Sequence, residues 1–192
     1  MRRSQRPAIL DAALRVLANE SGATITLETV AHEAGISKAG LMYHFPTKEQ
    51  LMLGIVDHAA EALETSMLVI LGKPLADTSA AERIFAYAAV AANGAERRAE
   101  YAVWAEAAYR PDLCEPWIER MAPWFELPAG LGLEARVQLT TARLAADGLW
   151  AAAATKLFPP DPSIRDSVVA YIQSLTQVSR ALGPVTAARA SA

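Results

Sequence analysis

The sequence is short of almost everything that builds a catalyst, a secreted scaffold or a membrane span. Its 192 residues include one cysteine, Cys114. A lone cysteine closes no disulfide within the chain, so a disulfide framework is excluded and a reducing, cytoplasmic setting is expected. The only histidines are His32, His44 and His58. His44 and His58 fall on different predicted helices, and His32 beside Glu33 finds no further ligand at a useful spacing, so no metal site is expected. No glycine-rich phosphate loop follows a strand and no nucleophile motif is present, which leaves no cofactor and no enzyme to argue for. No apolar run reaches the ~18 residues of a membrane span. The opening Met1-Arg2-Arg3-Ser4 passes into an amphipathic pattern containing Asp11 rather than the apolar core of a secretory signal.

β-branched residues are also scarce, while alanine and leucine are abundant, a balance that favours helix over strand. Hydrophobic residues make up 53% of the chain and charged ones 20%, enough apolar material for a real core. The net charge of −3 argues at first against a nucleic-acid partner. Its distribution is uneven, however. Residues 1–50 carry six basic side chains (Arg2, Arg3, Arg6, Arg15, Lys38, Lys48) against five acidic ones. Arg2, Arg3 and Arg6 all precede the first acid, Asp11, and form a small basic arm.

Apolar spacing predicts an all-α chain. A first helix is expected over 6–19, with Leu10, Ala13, Leu14 and Leu17 on its buried side. A second starts at Leu27 behind a Thr26 cap and stops at Gly35, and a third runs from Ser37 to about His44, ahead of Pro46. Thr47 and Gln50 have capping-box spacing for a long fourth helix, whose inner side would be Met52, Ile55, Ala59, Ala62, Leu63, Met67 and Ile70. Ser79 and Glu82 open a fifth, and a sixth spans about 95–109. Pro116, Pro123 and Pro128 break up residues 113–132. Two long helices follow, over about 134–157 and from Asp161-Pro162 to about Leu182. About nine helices result.

Residues 26–48 carry the function. A helix-turn-helix needs a small residue in its first helix, so that the second can cross closely, and a residue tolerating positive φ at the sharp turn. Ala31 and Gly35 fill those places, and Val30, Ala34, Ile36 and Leu41 supply an apolar seam. The stretch TLETVAHEAGISKAGLMYHFPTKEQL, residues 26–51, resembles the tetracycline-repressor-like (TetR) family of bacterial regulators, most specifically in its run from Tyr43 to Lys48. Met42 departs from the pattern, since family members commonly have tyrosine there, and the phosphate contact passes to Tyr43.

The resemblance implies a helix-turn-helix DNA-binding domain over 1–48 and a helical effector-binding and dimerisation domain over 49–192. The expected function is that of a ligand-responsive repressor, bound as a homodimer to a palindromic double-stranded DNA operator and released by a small-molecule effector. The alternative is a helical ligand- or partner-binding protein that does not use DNA.

With Ser37–His44 as the recognition helix, its amino end would enter the major groove. Ser37 would cap it and reach a phosphate. Lys38 would meet a guanine edge or a phosphate, Ala39 a thymine methyl, and Gly40 would let the helix sit close. Thr26, Tyr43, His44 and Lys48 would hold backbone phosphates, while Leu41 and Phe45 face inward.

Dimerisation is expected through the last two long helices, along Thr141, Leu144, Gly148 and Ala152 and along Val168, Ile172, Leu175 and Leu182. The effector pocket is expected among Phe85, Tyr101, Trp104, Tyr109, Trp117, Met121, Trp124 and Trp150. Glu106, Glu115, Glu119 or Asp147 would draw a cationic ligand if buried there.

Overall fold

Two seven-residue helices are too short to persist alone in water, so what holds them is packing on longer neighbours. The computed structural model describes residues 5–18, 25–94 and 97–177. Their order is α1 (Arg6–Ala18), α2 (Leu27–Glu33), α3 (Lys38–His44), α4 (Lys48–Leu71), a short 3-10 turn (Leu75–Asp77), α5 (Ala80–Ala91), α6 (Arg98–Ala108), α7 (Pro111–Phe125), α8 (Leu133–Thr155) and α9 (Pro162–Ser174). The described residues contain no strand.

α4 runs through the middle and touches α1, α5, α6 and α7, while α8 covers α5 and α6, and α9 closes against α5 and α8. One continuous cluster of buried side chains extends from Ile9 to Ile172. Trp124, Phe45, Ile9, Leu41, Leu51 and Ile55 are among its fully buried members.

Several helix faces differ from those the spacing predicts. On α1 the buried residues are Ile9, Leu10, Ala12, Ala13 and Val16, with Leu14 and Leu17 only half-buried. On α4 the inner face adds Leu51, Val56 and Ala60, Ala62 is only half-buried, and Ile70 is exposed beside Leu68 and Val69 while Leu71 packs on the core. Thr47 caps α4 by accepting from the Gln50 amide at 3.1 Å. At Ser79 the full reciprocal box forms, with Glu82 accepting from the Ser79 amide.

The prolines of α7 do not break it. Pro116 and Pro123 lie inside one helix of 15 residues. Each removes a backbone hydrogen bond, at a cost of about 3 kcal/mol for an interior proline. Leu113, Trp117, Met121 and Trp124, all buried at helical spacing, offset that cost by ~1.5–3 kcal/mol apiece.

α9 ends at Ser174, short of the expected Leu182, which lies outside the described residues. There the Leu175 amide still donates to the Tyr171 carbonyl, while the Thr176 amide shifts to the Gln173 carbonyl, a three-residue bond that tightens the last turn.

Candidate functional sites: an exposed helix pair and an aromatic cavity

The turn between α2 and α3 is a Schellman motif. The Gly35 amide donates to the His32 carbonyl and the Ile36 amide to that of Ala31. Gly35 sits at φ +67°, a left-handed conformation that glycine adopts at no steric cost. Thr26 caps α2, its hydroxyl accepting from the Thr29 amide at 3.0 Å while the Thr29 hydroxyl accepts from the Thr26 amide at 2.9 Å. Ser37 caps α3 by accepting from the Gly40 amide at 3.1 Å.

Leu41 and Phe45 anchor α3 from below, both fully buried. Phe45 packs over Gly54 of α4, where an added Cβ would fall 2.8 Å from the Phe45 Cε1. The Arg6 guanidinium lies 4.3 Å from the Phe45 ring centre. The other face of α3 is left to solvent. Ser37, Lys38, Ala39, Met42, Tyr43 and Lys48 are exposed, and Thr26, Gly40 and His44 are half-buried. Tyr43 is 84% exposed, far more than a core tyrosine would be. Lys38 Nζ pairs with Glu28 Oε1 at 2.6 Å, and that pairing holds the Glu28 carboxyl below its usual range. Arg2 and Arg3 lie outside the described residues.

The second site is a partly open cavity of about 280 Å³ lined by α4, α5, α6, α7 and α8. Of the aromatic set expected from sequence, it brings together Tyr101, Trp104, Trp117, Met121 and Trp150. Trp117 and Trp150 stack with centroids 6.3 Å apart, and Tyr101 meets Trp150 edge-on at 5.7 Å. Three expected residues lie elsewhere. Tyr109 is exposed at the end of α6, Phe85 faces outward beside Ile70, and Trp124 is wholly buried with its indole N–H on Glu64.

Sequence reasoning missed Leu63, Tyr87 and Arg143 in the cavity, and assigned Gly148 elsewhere. The Tyr87 hydroxyl donates to one oxygen of Asp147, and Arg143 Nη1 reaches the other at 2.7 Å. Burial pushes the Asp147 carboxyl up, against the lowering effect of those two partners. Burial, and then the Asp147 charge, push the Tyr87 phenol well above its ordinary value. Glu106, Glu115 and Glu119 are exposed, so Asp147 is the one expected carboxylate at the cavity.

Between the two sites runs a charged seam. Arg120 of α7 donates to Asp57 at 2.7 Å and to Glu64 at 2.9 Å, both on α4. Among the described residues no group of three or more histidine, cysteine or acidic side chains is disposed to hold a metal, and no helix is long and apolar enough to cross a membrane.

The fold and these sites define a helix-turn-helix regulator. Residues 81–177 match the family described as tetracyclin repressor-like, C-terminal domain, and residues 9–55 match bacterial regulatory proteins of the tetR family. The chain belongs to the tetracycline-repressor-like family.

Among curated relatives it is similar to the nucleoid occlusion factor SlmA of Marinobacter nauticus, 35% identical over 68 residues, which is 35% of each chain. It is also similar to the HTH-type transcriptional regulator BetI of Rhizobium meliloti, 36% identical over 52 residues, 27% of this chain and 26% of that one. The chain thus spans about a third or less of the length of these curated relatives. Among solved structures, the multidrug binding protein EbrR complexed with imidazole superposes with TM-score 0.62 at 21% identity, covering 95% of this chain and 98% of that one. A transcriptional regulator from Rhodococcus sp. Rha1 gives TM-score 0.62 at 18% identity, over 90% and 94% of the two chains. At such identities the likeness is one of fold.

Proposed function

We propose that this chain is a ligand-responsive repressor that binds a palindromic operator as a homodimer and is released when a small molecule fills the α4–α8 cavity. The observation that carries the reading is an outward-facing α3, seated on Phe45 and Gly35, in the same molecule as an aromatic-lined cavity. Residues 1–48 would read DNA and residues 49–192 would sense and dimerise, with α4 joining the two.

Ser37, Lys38, Ala39 and Gly40, at the amino end of α3, would face base edges and the nearest phosphates. Thr26, Tyr43, His44 and Lys48 would grip the backbone, so affinity rests largely on phosphate neutralisation and falls steeply with salt. The dimer surface would be the exposed stripe of α8 (Val137, Thr141, Leu144, Gly148) with Ile164, Val168, Tyr171 and Leu175 of α9. Ile172, assigned to that surface from the sequence, is instead buried in the chain's own core. EbrR, which shares this fold, is solved with malachite green and with ethidium, which supports small-molecule binding by this chain.

Selection of bound duplexes from a random pool tests the reading. It should enrich an inverted repeat whose half-sites lie one helical turn, ~34 Å, or a multiple apart. A pool without enrichment would reject DNA reading, and an unpaired half-site would reject the dimer.

A further inference from the structure

We infer that the cavity is built for an uncharged aromatic molecule of one or two rings carrying a single hydrogen-bonding group, and that Arg143 and Asp147 enforce this by cancelling each other. The inference rests on the reading of the cavity as the effector site and names the class of effector it takes.

Size sets the first limit. The cavity is about 280 Å³. An apolar cavity of about 150 Å³ takes up benzene, and drug-sized ligands fill pockets from about 300 Å³ upward. One or two rings therefore fill it. The walls set the shape. Tyr101, Trp104, Trp117, Phe125 and Trp150 line the cavity from three helices, and ring faces and edges favour a flat apolar partner.

Charge decides the class. Among the described lining residues Arg143 and Asp147 are the only ionised side chains, and they are paired at 2.7 Å. A cationic ligand drawn to Asp147 meets the Arg143 guanidinium beside it, and an anionic one drawn to Arg143 meets the carboxylate. Either ion also gives up part of its hydration, and no unpaired counter-charge repays that loss. Cation–π attraction in such a partly open cavity is worth only about 0.5–1 kcal/mol. A neutral hydroxyl or ring N–H avoids the penalty altogether. It can donate to a spare lone pair of Asp147, whose two oxygens already accept from Tyr87 and Arg143, or engage a guanidinium N–H not committed to Asp147. The carboxylate expected from sequence to attract a cation is thus already neutralised.

The experiment uses the full chain and three probes of similar shape: 2-naphthol, 2-naphthoate and N-methylquinolinium. Each is titrated at neutral pH, with quenching of tryptophan fluorescence and calorimetry as readouts. The expected result is that 2-naphthol binds at least about tenfold tighter than either ion. In Asp147→Asn, with folding checked by its melting curve, Arg143 is unpaired and 2-naphthoate should gain roughly tenfold on N-methylquinolinium; in Arg143→Gln the gain should reverse. If one variant does not fold, the other and the wild-type ranking decide. A charged probe binding tightest in the wild type, or a ranking indifferent to both substitutions, overturns the inference while leaving the cavity a ligand site. Failure of all three probes to bind rejects the inference and the cavity's effector role together.

Discussion

Lys38 Nζ lies 2.6 Å from Glu28 Oε1, so the foremost cation of the recognition helix is held by an acid of the helix beneath it. Both side chains are more than half exposed, and exposed pairs of this kind are weak. On the proposed reading, a Lys38 contact to DNA would have to break the pair. Glu28→Gln should therefore raise affinity for a selected duplex by up to about fivefold, and Lys38→Ala should lower it. Fluorescence anisotropy against salt concentration reads both, and a Glu28→Gln curve superimposable on wild type would remove Lys38 from the contact.

Gly54→Ala should loosen the seat of the recognition helix. The new methyl would lie 2.8 Å from Phe45 Cε1 and 3.3 Å from Leu10 Cδ2, inside the core that fixes α3. Overpacking of this kind costs typically about 1–3 kcal/mol. Urea unfolding should show that loss, together with weaker DNA binding. Gly130→Ala is the control, because a Cβ there meets nothing within 4 Å.

Glu82 gives an acid signature. Lys73, first, and then the Ser79 amide and hydroxyl hold its carboxyl down at about 2, against an ordinary 4.5. A lowered carboxyl pKa in the folded chain stabilises it above the unfolded value, and that contribution is lost as pH falls through the folded value. The difference in melting temperature between wild type and Glu82→Gln should thus be constant above about pH 4.5 and shrink toward pH 2. A difference that stays flat across that range would show that the charge adds nothing.

Arg120→Met should weaken the seam between α4 and α7. Its removal leaves Asp57 and Glu64 without their shared partner, while Glu64 keeps only the Trp124 indole at 3.3 Å. Arg120 is partly exposed, so the expected loss is about 1 kcal/mol at low salt and less at high salt. Urea midpoints at two ionic strengths check it. An equal loss at both would mean that packing, not charge, carries the contact.

The helix-turn-helix was legible because its requirements are local. A cap at Thr26, a left-handed turn at Gly35 and a stop at Pro46 each act within a few residues of the element they define. α7 was not legible, because local rules put breaks at Pro116 and Pro123 and only tertiary burial of Trp117 and Trp124 overrides them. The polar end of the cavity was hidden for a related reason. Tyr87 and Asp147 are 60 residues apart and meet only once α8 lies across α5. Periodicity could mark the aromatics of the middle helices as inward or outward, but not which inward ones would leave a gap between them. Phe85 and Tyr109 have the right chemistry, yet they face away from it.

α4 is a single rod of 24 residues, about 36 Å long at 1.5 Å per residue. Leu63, about two-thirds of the way along it, lines the cavity, and Lys48, at its near end, adjoins α3. A tilt of about eight degrees about Leu63 sweeps the Lys48 end, about 22 Å away, through roughly 3 Å, close to the ~3.4 Å rise of one base-pair step. Leverage alone can therefore turn a side-chain-sized adjustment around a guest molecule into a misfit of one step along the duplex, with no helix needing to melt.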